Sequence, residues 1–314
     1  MGSLAQSSLL PVIDLSQAGS KLGTASWAVA CEQVRSALEE YGCFVAVYDR
    51  IAPQLMAEVY RALEDLFDLP VETKVQNVSK IPYHGYLGQK DYIPLHESLG
   101  IERSTVAESV RSFTGLMWPE GNDHFSETIS SYAREVAELE RLVVRMVCEG
   151  YGVGGYHESH EARVNYLMRV NRYRAPRENE VTAGLLPHTD KSFITVLNQN
   201  QVNGLEVKTK DGDWIEFQAF PSSFVVMVGD AALAWSNGRM HSARHRVTMT
   251  RDTPRYSVGI FSYHRGVVEV PEEMVDGDHP RRFNSFDHYG LLRFFTTPAG
   301  TASPCTATAY CGAG

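Results

Sequence analysis

The hydrophobic pattern of this 314-residue chain changes at about residue 160. Before that point, apolar residues recur every three or four positions, as they do on the buried face of a helix. Beyond it, short runs rich in β-branched and aromatic residues are separated by turn signals, which is typical of antiparallel sheets. The chain is therefore predicted to carry most of its helices in the first half and its sheets in the second.

Three amphipathic helices are predicted in the first half. The first follows a candidate N-cap at Thr24 or Ser26 and ends at Gly42, because glycine readily takes the backbone turn after a helix. The second begins at Pro53, since a first helical turn tolerates proline. The third and longest spans residues 125–149.

One strand is predicted before residue 160 and seven beyond it. They cover residues 43–47, 163–173, 193–197, 205–208, 214–217, 224–228, 239–249 and 256–263. The dipeptides Asn203-Gly204 and Asp211-Gly212 are hairpin-type turns, which favour antiparallel pairing over a parallel βαβ sheet. Such spacing indicates a sandwich or jelly roll. A final helix is predicted over 285–295, and the tail from Thr296, rich in small residues, is expected to be poorly ordered.

Charge and cysteine usage limit the partners of the chain. A formal net charge of -9 and a pI near 5.7 give no electrostatic footprint for nucleic acid or an anionic membrane. The five cysteines are scattered and odd in number, which argues against a disulfide framework and favours a reducing compartment. No run approaches the ~18 apolar residues of a membrane span. We expect a monomeric cytoplasmic protein with a small-molecule substrate and no nucleic-acid or membrane partner.

Three residues form a candidate metal site. His188 and Asp190 are two apart, so in extended chain both side chains point to one side. A distant histidine, His245, would complete a set of two histidines and one carboxylate, the ligands of non-haem Fe(II) oxygenases. Zinc remains open on ligand type alone. Taken by itself, the His-x-Asp pair also fits a surface turn in which Asp190 bonds its own backbone.

A candidate carboxylate anchor follows ten residues after His245. Arg255 and Ser257 share one face of a predicted strand. A guanidinium offers a planar fork for a carboxylate, and a hydroxyl adds one more donor. An arginine in a surface ion pair beside a buried serine would explain this pair if it stood alone. Together with the histidines and Asp190, the pair predicts a site for the distal carboxylate of a dicarboxylic acid.

The combination H-T-D, then N-G-x-x-x-S-x-x-H-R-V, then R-Y-S resembles the plant 2-oxoglutarate-dependent dioxygenases over nearly the whole chain. Residues 83–88, 118–122, 203–208 and 275–280 are similar to the AOP-like subgroup, which acts on glucosinolate side chains and alkaloids. The resemblance implies a mainly β fold with helical additions. Its core would be a double-stranded β-helix (jelly roll, cupin-like) flanked by N-terminal helices. The expected regions of one folding unit are 1–159, helical with the family's N-terminal strand; 160–270, the catalytic core; and 271–314, a helix and a tail.

The same resemblance implies Fe(II), 2-oxoglutarate as cosubstrate, O2, and ascorbate as a candidate reductant. The reaction would hydroxylate or desaturate a small plant specialised metabolite and release succinate and CO2. Asn171 and Tyr173 match the family's N-x-Y strand and would help to hold the metal-side carboxylate of the cosubstrate. The family's usual N-H-G turn is replaced here by residues 48–50. This difference bears on the shape of the opening through which the substrate would enter. Asp190 is present, whereas halogenating relatives carry a small residue there.

Six residues are predicted to contact the substrate. Phe261 is the first, because it lies four residues past Ser257 on the same strand face. The others are Lys191, Phe193, Trp235, Tyr92 and Phe295; for all these aromatic residues a place in the core is the competing interpretation.

Two alternative functions fit the residues less completely. One is an ascorbate-using non-haem iron oxidase, which release of succinate would distinguish. The other is a non-catalytic cupin-like small-molecule sensor, for which the Asn171, Tyr173, Arg255 and Ser257 set would be surplus.

Overall fold

The computed structural model describes residues 9–17, 22–250 and 253–313. Its α-helices in these ranges are α1 (Ala25–Glu40), α2 (Pro53–Asp68), α3 (Val71–Lys74), α4 (Ala107–Met117), α5 (Asp123–Gly150), α6 (Tyr156–Arg163), α7 (Asp230–Trp235), α8 (His288–Phe295), α9 (Pro298–Ala302) and α10 (Thr306–Cys311). In this part of the chain, no helix is long and apolar enough to span a membrane.

The strands are β1 (Val12–Asp14), β2 (Cys43–Val47), β3 (Leu87–Lys90), β4 (Ile93–Ile101), β5 (Val164–Tyr173), β6 (Ala183–His188), β7 (Ile194–Gln199), β8 (Leu205–Lys208), β9 (Trp214–Glu216), β10 (Ser223–Val228), β11 (His245–Thr248), β12 (Arg255–His264), β13 (Val267–Val268) and β14 (Phe286–Asp287). A large sheet has the order β1-β2-β10-β7-β12-β5-β4-β3, and a smaller one the order β6-β11-β8-β9. β13 and β14 form a separate two-stranded ladder.

The predicted helices of the first half are present. Thr24 caps α1 by accepting a hydrogen bond from the backbone N–H of Trp27. Gly42 follows the helix with φ +70°, and a Cβ there would overlap the carbonyl oxygen of His241. Only glycine therefore lets the chain turn this closely past that segment. The long helix α5 packs against α1, α2 and α4 and also contacts β7 and β12 of the large sheet.

The first half contributes more strands than its sequence pattern indicated. β3 and β4 form a hairpin that the sequence analysis did not predict. β4 then pairs with β5, so that Ser98 faces Asn171 across the ladder. Four strands from before residue 160 thus lie in the large sheet. The predicted division of the chain into regions 1–159, 160–270 and 271–314 stays a prediction.

Two predictions in the second half were wrong. Residues 239–244 are not a strand, because their backbone groups bond elsewhere: Met240 N–H donates to Ser236 Oγ, and His241 N–H donates to the Leu38 carbonyl. The tail beyond Thr296 is not irregular either, since it contains α9 and α10. Ala307 and Cys311 are buried in the core, which accounts for the order of a segment that is rich in small residues.

Candidate active site

Strand pairing brings His188 and His245 side by side. β6 and β11 are antiparallel neighbours, and the two histidines are direct partners in their register. Their ring centroids are 4.2 Å apart. Residues far apart in sequence thus present two imidazoles at one point of the small sheet.

Asp190 completes the cluster from the loop after β6. The Nε2 atoms of His188 and His245 each lie 3.7 Å from Asp190 Oδ1. The ligand atoms of the three residues are within 4.8 Å of one another, which is the spacing of a group able to hold a metal ion. Thr195 Oγ1 donates a 2.7 Å hydrogen bond to Asp190 Oδ2 and so fixes the orientation of the carboxylate.

The hydrogen bonds of both histidines favour metal binding through Nε2. His188 Nδ1 donates to the carbonyl of Leu186 at 2.8 Å, and His245 Nδ1 donates to the carbonyl of Ala243 at 3.3 Å. A proton on Nδ1 leaves the Nε2 lone pair free for a metal. Desolvation, and then the neighbouring His245, hold the pKa of His188 well below its ordinary value, so His188 is neutral at pH 7. The donor set therefore fits Fe(II), which takes two neutral imidazoles and one carboxylate.

A second cluster surrounds Arg255, whose side chain is fully buried. Its Nη2 donates a 2.6 Å hydrogen bond to Gln199 Oε1, and its Nη1 lies 3.5 Å from Ser257 Oγ. Its guanidinium carbon is 5.0 Å from the centre of the Tyr173 ring. No carboxylate in the described chain forms an ion pair with Arg255, and burial lowers its pKa. A buried, uncompensated guanidinium is a site for an anion.

Asn171 and Tyr173 lie beside this anchor because β5 pairs with β12. In the register, Tyr173 faces Arg255 and Asn171 faces Ser257. Asn171 Nδ2 donates to Ser257 Oγ at 3.4 Å. On the other side, His96 from β4 stacks on the Tyr173 ring with centroids 4.8 Å apart, and its Nε2 lies 3.1 Å from Asn171 Oδ1.

Both clusters open into one cavity of about 370 Å³. Its lining comes from both sheets, and it includes ten of the residues predicted from sequence. These are His188, Asp190, His245, Arg255, Asn171, Tyr173, Phe261, Lys191, Tyr92 and Phe295. Ser257 is not part of the lining, but its hydroxyl contacts two lining residues, Arg255 and Asn171.

Phe193 and Trp235 do not line the cavity, so these two substrate predictions are corrected. Phe193 precedes β7 in a bend, and the inward parity of Thr195 and Leu197 therefore does not extend back to it. Its ring packs 5.4 Å from that of Trp235. Both rings also pack against Tyr156 and belong to the main hydrophobic core. Phe193 and Trp235 are therefore core residues, which was the competing interpretation of the aromatic candidates.

Lys191 lines the cavity, but its ammonium group is already occupied. It forms a 2.8 Å ion pair with Asp230 and donates to the carbonyl and the hydroxyl of Thr189. The nitrogen also lies 4.4 Å from the centre of the Phe295 ring. Lys191 therefore offers the cavity a neutralised cation and an apolar stem.

Sequence reasoning missed four residues of the site. They are Thr195, Gln199, His96 and Arg169. Arg169 alone left a usable signal, because it is a charged residue inside an otherwise apolar strand segment. The roles of the other three depend on which strands become neighbours.

Comparison with protein families gives two matches. The family described as the 2OG-Fe(II) oxygenase superfamily matches residues 164–264, the part that carries the metal cluster and the arginine anchor. The family described as the N-terminal region of non-haem dioxygenases in morphine synthesis matches residues 10–111.

Relatives from Arabidopsis thaliana include the probable 2-oxoglutarate-dependent dioxygenase AOP1.2. It is 44% identical over 299 residues, which cover 93% of this chain and 92% of that protein. The 2-oxoglutarate-dependent dioxygenase AOP3 is 31% identical, over 96% of this chain and 97% of its own length.

Among solved structures, the dioxygenase for auxin oxidation from rice superposes with a TM-score of 0.81 at 32% identity. The match covers 97% of this chain and all of that one. This similarity confirms the predicted jelly-roll fold. The chain belongs to the 2OG-Fe(II) oxygenase superfamily, as an AOP-like 2-oxoglutarate- and Fe(II)-dependent dioxygenase that acts on a small plant metabolite.

Proposed function

We propose that His188, Asp190 and His245 hold Fe(II) in this protein, and that Arg255 and Ser257 bind the distal carboxylate of 2-oxoglutarate. The observation that carries this assignment is that both clusters face one cavity. A dicarboxylic acid could therefore reach from the metal to the buried guanidinium. Asn171 and Tyr173 stand beside the anchor and would steady the cosubstrate.

When bound together, Fe(II), 2-oxoglutarate and O2 supply an oxidant for a C–H bond and leave succinate and CO2 as products. The chain's own residues prepare this chemistry. Thr195 orients Asp190 so that Oδ1 faces the two histidines. The Arg255 fork binds the cosubstrate and neutralises one of its charges. Apolar residues, among them Leu185 and Val247 on the two strands that carry the histidines, form part of the cavity wall.

We propose that the reaction hydroxylates or desaturates the substrate. Of the six residues predicted from sequence to contact the substrate, we propose four: Phe261, Lys191, Tyr92 and Phe295. All four line the cavity. Tyr92 is 65% exposed, which suits a residue at the mouth. An uncompensated Arg255 supports a dicarboxylate cosubstrate over ascorbate alone and has no use in a sensor that binds no carboxylate.

We further propose that the protein acts as a monomer in a reducing compartment, the cytoplasm. All five cysteines are free, as expected of proteins kept under reducing conditions. Light scattering during size-exclusion chromatography would test the monomer.

The metal assignment is tested with two histidine variants under anaerobic conditions. Fe(II) with 2-oxoglutarate should give a weak visible charge-transfer band in the wild type. His245→Ala should lose the band, because one ligand is gone. His241→Ala is the matched control and should keep it, since His241 bonds near the end of α1 and does not line the cavity. The reverse pattern would move the iron away from His245.

A further inference from the structure

The cavity contains a second buried arginine, which has no role in the proposed binding of Fe(II) and 2-oxoglutarate. Arg169 lies on β5, two residues before Asn171, and is 8% exposed. It lines the cavity together with the metal cluster and Arg255. Burial lowers its pKa to about 10, which still leaves it charged at pH 7.

Arg169 has only neutral partners in the described chain. Its Nη1 donates to the backbone carbonyls of Tyr83 and Gly85, and its Nη2 donates to Ser98 Oγ. These bonds use three of the five N–H groups of the guanidinium. The Nε–H group and one Nη2–H group have no partner among the residues described, and no carboxylate there forms an ion pair with Arg169. Arg169 is thus a largely buried cation on the cavity wall with N–H groups left over for a ligand.

The charges of the cavity leave Arg169 uncompensated even in the loaded enzyme. Among the described residues of the lining, Asp190 is the only acidic one. Fe(II), Asp190 and Arg255 together carry two positive charges, which the two negative charges of 2-oxoglutarate cancel. Lys191 is neutralised by Asp230 at 2.8 Å. Among the lining residues that the structure describes, one buried positive charge then remains, on Arg169.

The surroundings of Arg169 also suggest the shape of its ligand. Its register partner on β12 is Gly259. The ring of Phe261 lies against that glycine, at 2.8 Å from the position a Cβ would take. The Phe261 ring and Leu167 thus form an apolar part of the cavity wall next to the strand position of Arg169. An apolar body carrying one planar anion fits such a site.

We propose that Arg169 binds a carboxylate of the substrate, so that the enzyme acts on a small organic acid with an apolar body. This inference rests on the proposed function, because it assumes that Arg255 is taken by 2-oxoglutarate. Arg169 is then a specificity-determining residue: it fixes the charged end of the acid while the C–H bond to be oxidised lies toward the metal cluster.

The test measures binding of matched acids and amides to the wild type loaded anaerobically with Fe(II) and 2-oxoglutarate. The probes are phenylacetate, 3-phenylpropanoate and 4-phenylbutanoate, each with its primary amide, and calorimetric titration gives the dissociation constants. At least one acid should bind tenfold or more tightly than its amide. If no acid binds more tightly than its amide, or none binds at all, the inference is overturned.

Variants separate anion binding from the structural role of Arg169 in holding the Tyr83–Gly85 turn. In Arg169→Gln the acid-to-amide ratio should fall to about one. In Arg169→Lys, which keeps the charge but loses the planar fork, the ratio should fall at least threefold. Weakening of acid and amide by the same factor, with the ratio unchanged, would leave Arg169 a structural residue and overturn the inference. Lys90→Gln is the matched control; it removes an exposed cation of the lining and should keep the ratio within twofold.

The charge-transfer band of Fe(II) and 2-oxoglutarate is recorded in each sample. Its absence from the wild type would contradict the proposed function. Its presence together with equal binding of acid and amide would contradict the role of Arg169 alone.

Discussion

Thr195 and Asp190 are joined by a 2.7 Å hydrogen bond that ties down one carboxylate oxygen and leaves the other facing two histidines. The bond crosses from β7 to the loop after β6. Partners of this kind orient metal ligands and commonly change metal affinity by about 10–100-fold when removed.

Thr195→Val should therefore weaken Fe(II) binding about tenfold or more with little change in fold, because valine matches the shape of threonine but cannot donate. Anaerobic titration with Fe(II) measures the effect. Thr195→Ser keeps the hydroxyl and is the control. Equal affinities of the valine and serine variants would show that this bond does not support the metal site.

Arg255→Gln should weaken 2-oxoglutarate binding by about 2 kcal/mol or more, because a buried carboxylate loses its charged partner. Calorimetric titration of 2-oxoglutarate into the iron-loaded protein measures it. The control is Arg246→Gln, which removes a partly exposed arginine paired with Glu206 on β8. Unaltered affinity in Arg255→Gln would remove the anchoring role.

Gly229→Ala should destabilise the protein by about 1–3 kcal/mol, because the new Cβ would overlap the backbone carbonyl of Ser192. Since Ser192 is two residues from Asp190, Fe(II) affinity should fall as well. Thermal unfolding and iron titration measure the two effects. Gly115→Ala in α4 is the matched control: apart from its chain neighbours and the backbone of α4, no atom of the described residues lies within 4 Å of its Cβ position, and a modest gain in stability of about 0.5–1 kcal/mol is expected.

The stability of the fold should decrease in mild acid, and His288 should be one cause. Its Nδ1 accepts from the backbone N–H of His264 at 2.9 Å, and its Nε2–H donates to the Lys191 carbonyl at 2.8 Å, so only the neutral ring satisfies both bonds. Burial lowers the pKa of His288 from 6.5 to about 4. Between these two pH values His288 is therefore protonated in the unfolded chain but neutral in the folded one. The contribution to the free energy of unfolding is therefore complete above pH 6.5 and is lost as the pH falls toward 4.

Urea unfolding at pH 7.5 and pH 5 tests this effect. The loss between the two pH values should be smaller by about 2 kcal/mol in His288→Gln than in the wild type. The same loss in both proteins would assign the acid sensitivity to other groups.

The chemistry of the site was more predictable from sequence than the strands that support it. His188, Asp190, His245 and Arg255 stand out because few arrangements of such residues have another use. β4 did not stand out, since its buried positions do not alternate and it contains Pro94 and a glycine. Its His96 therefore gave no sign that it would stack on Tyr173. The prediction of a strand at 239–244 was wrong because periodicity does not reveal where backbone hydrogen bonds go.

The pairing of β2 with β10 has a consequence for the synthesis of the protein. Residues 43–47 leave the ribosome long before residues 223–228, yet they form adjacent strands. β4 likewise pairs with the later strand β5, and β5 pairs with β12, which is synthesised later still. The early pairs β1–β2 and β3–β4 thus each keep an unpaired edge until later strands have been made, and the long sequence separation of these contacts is expected to slow folding. Unpaired strand edges are sites of association between chains. We therefore expect nascent or truncated chains that end before β12 to be prone to aggregation.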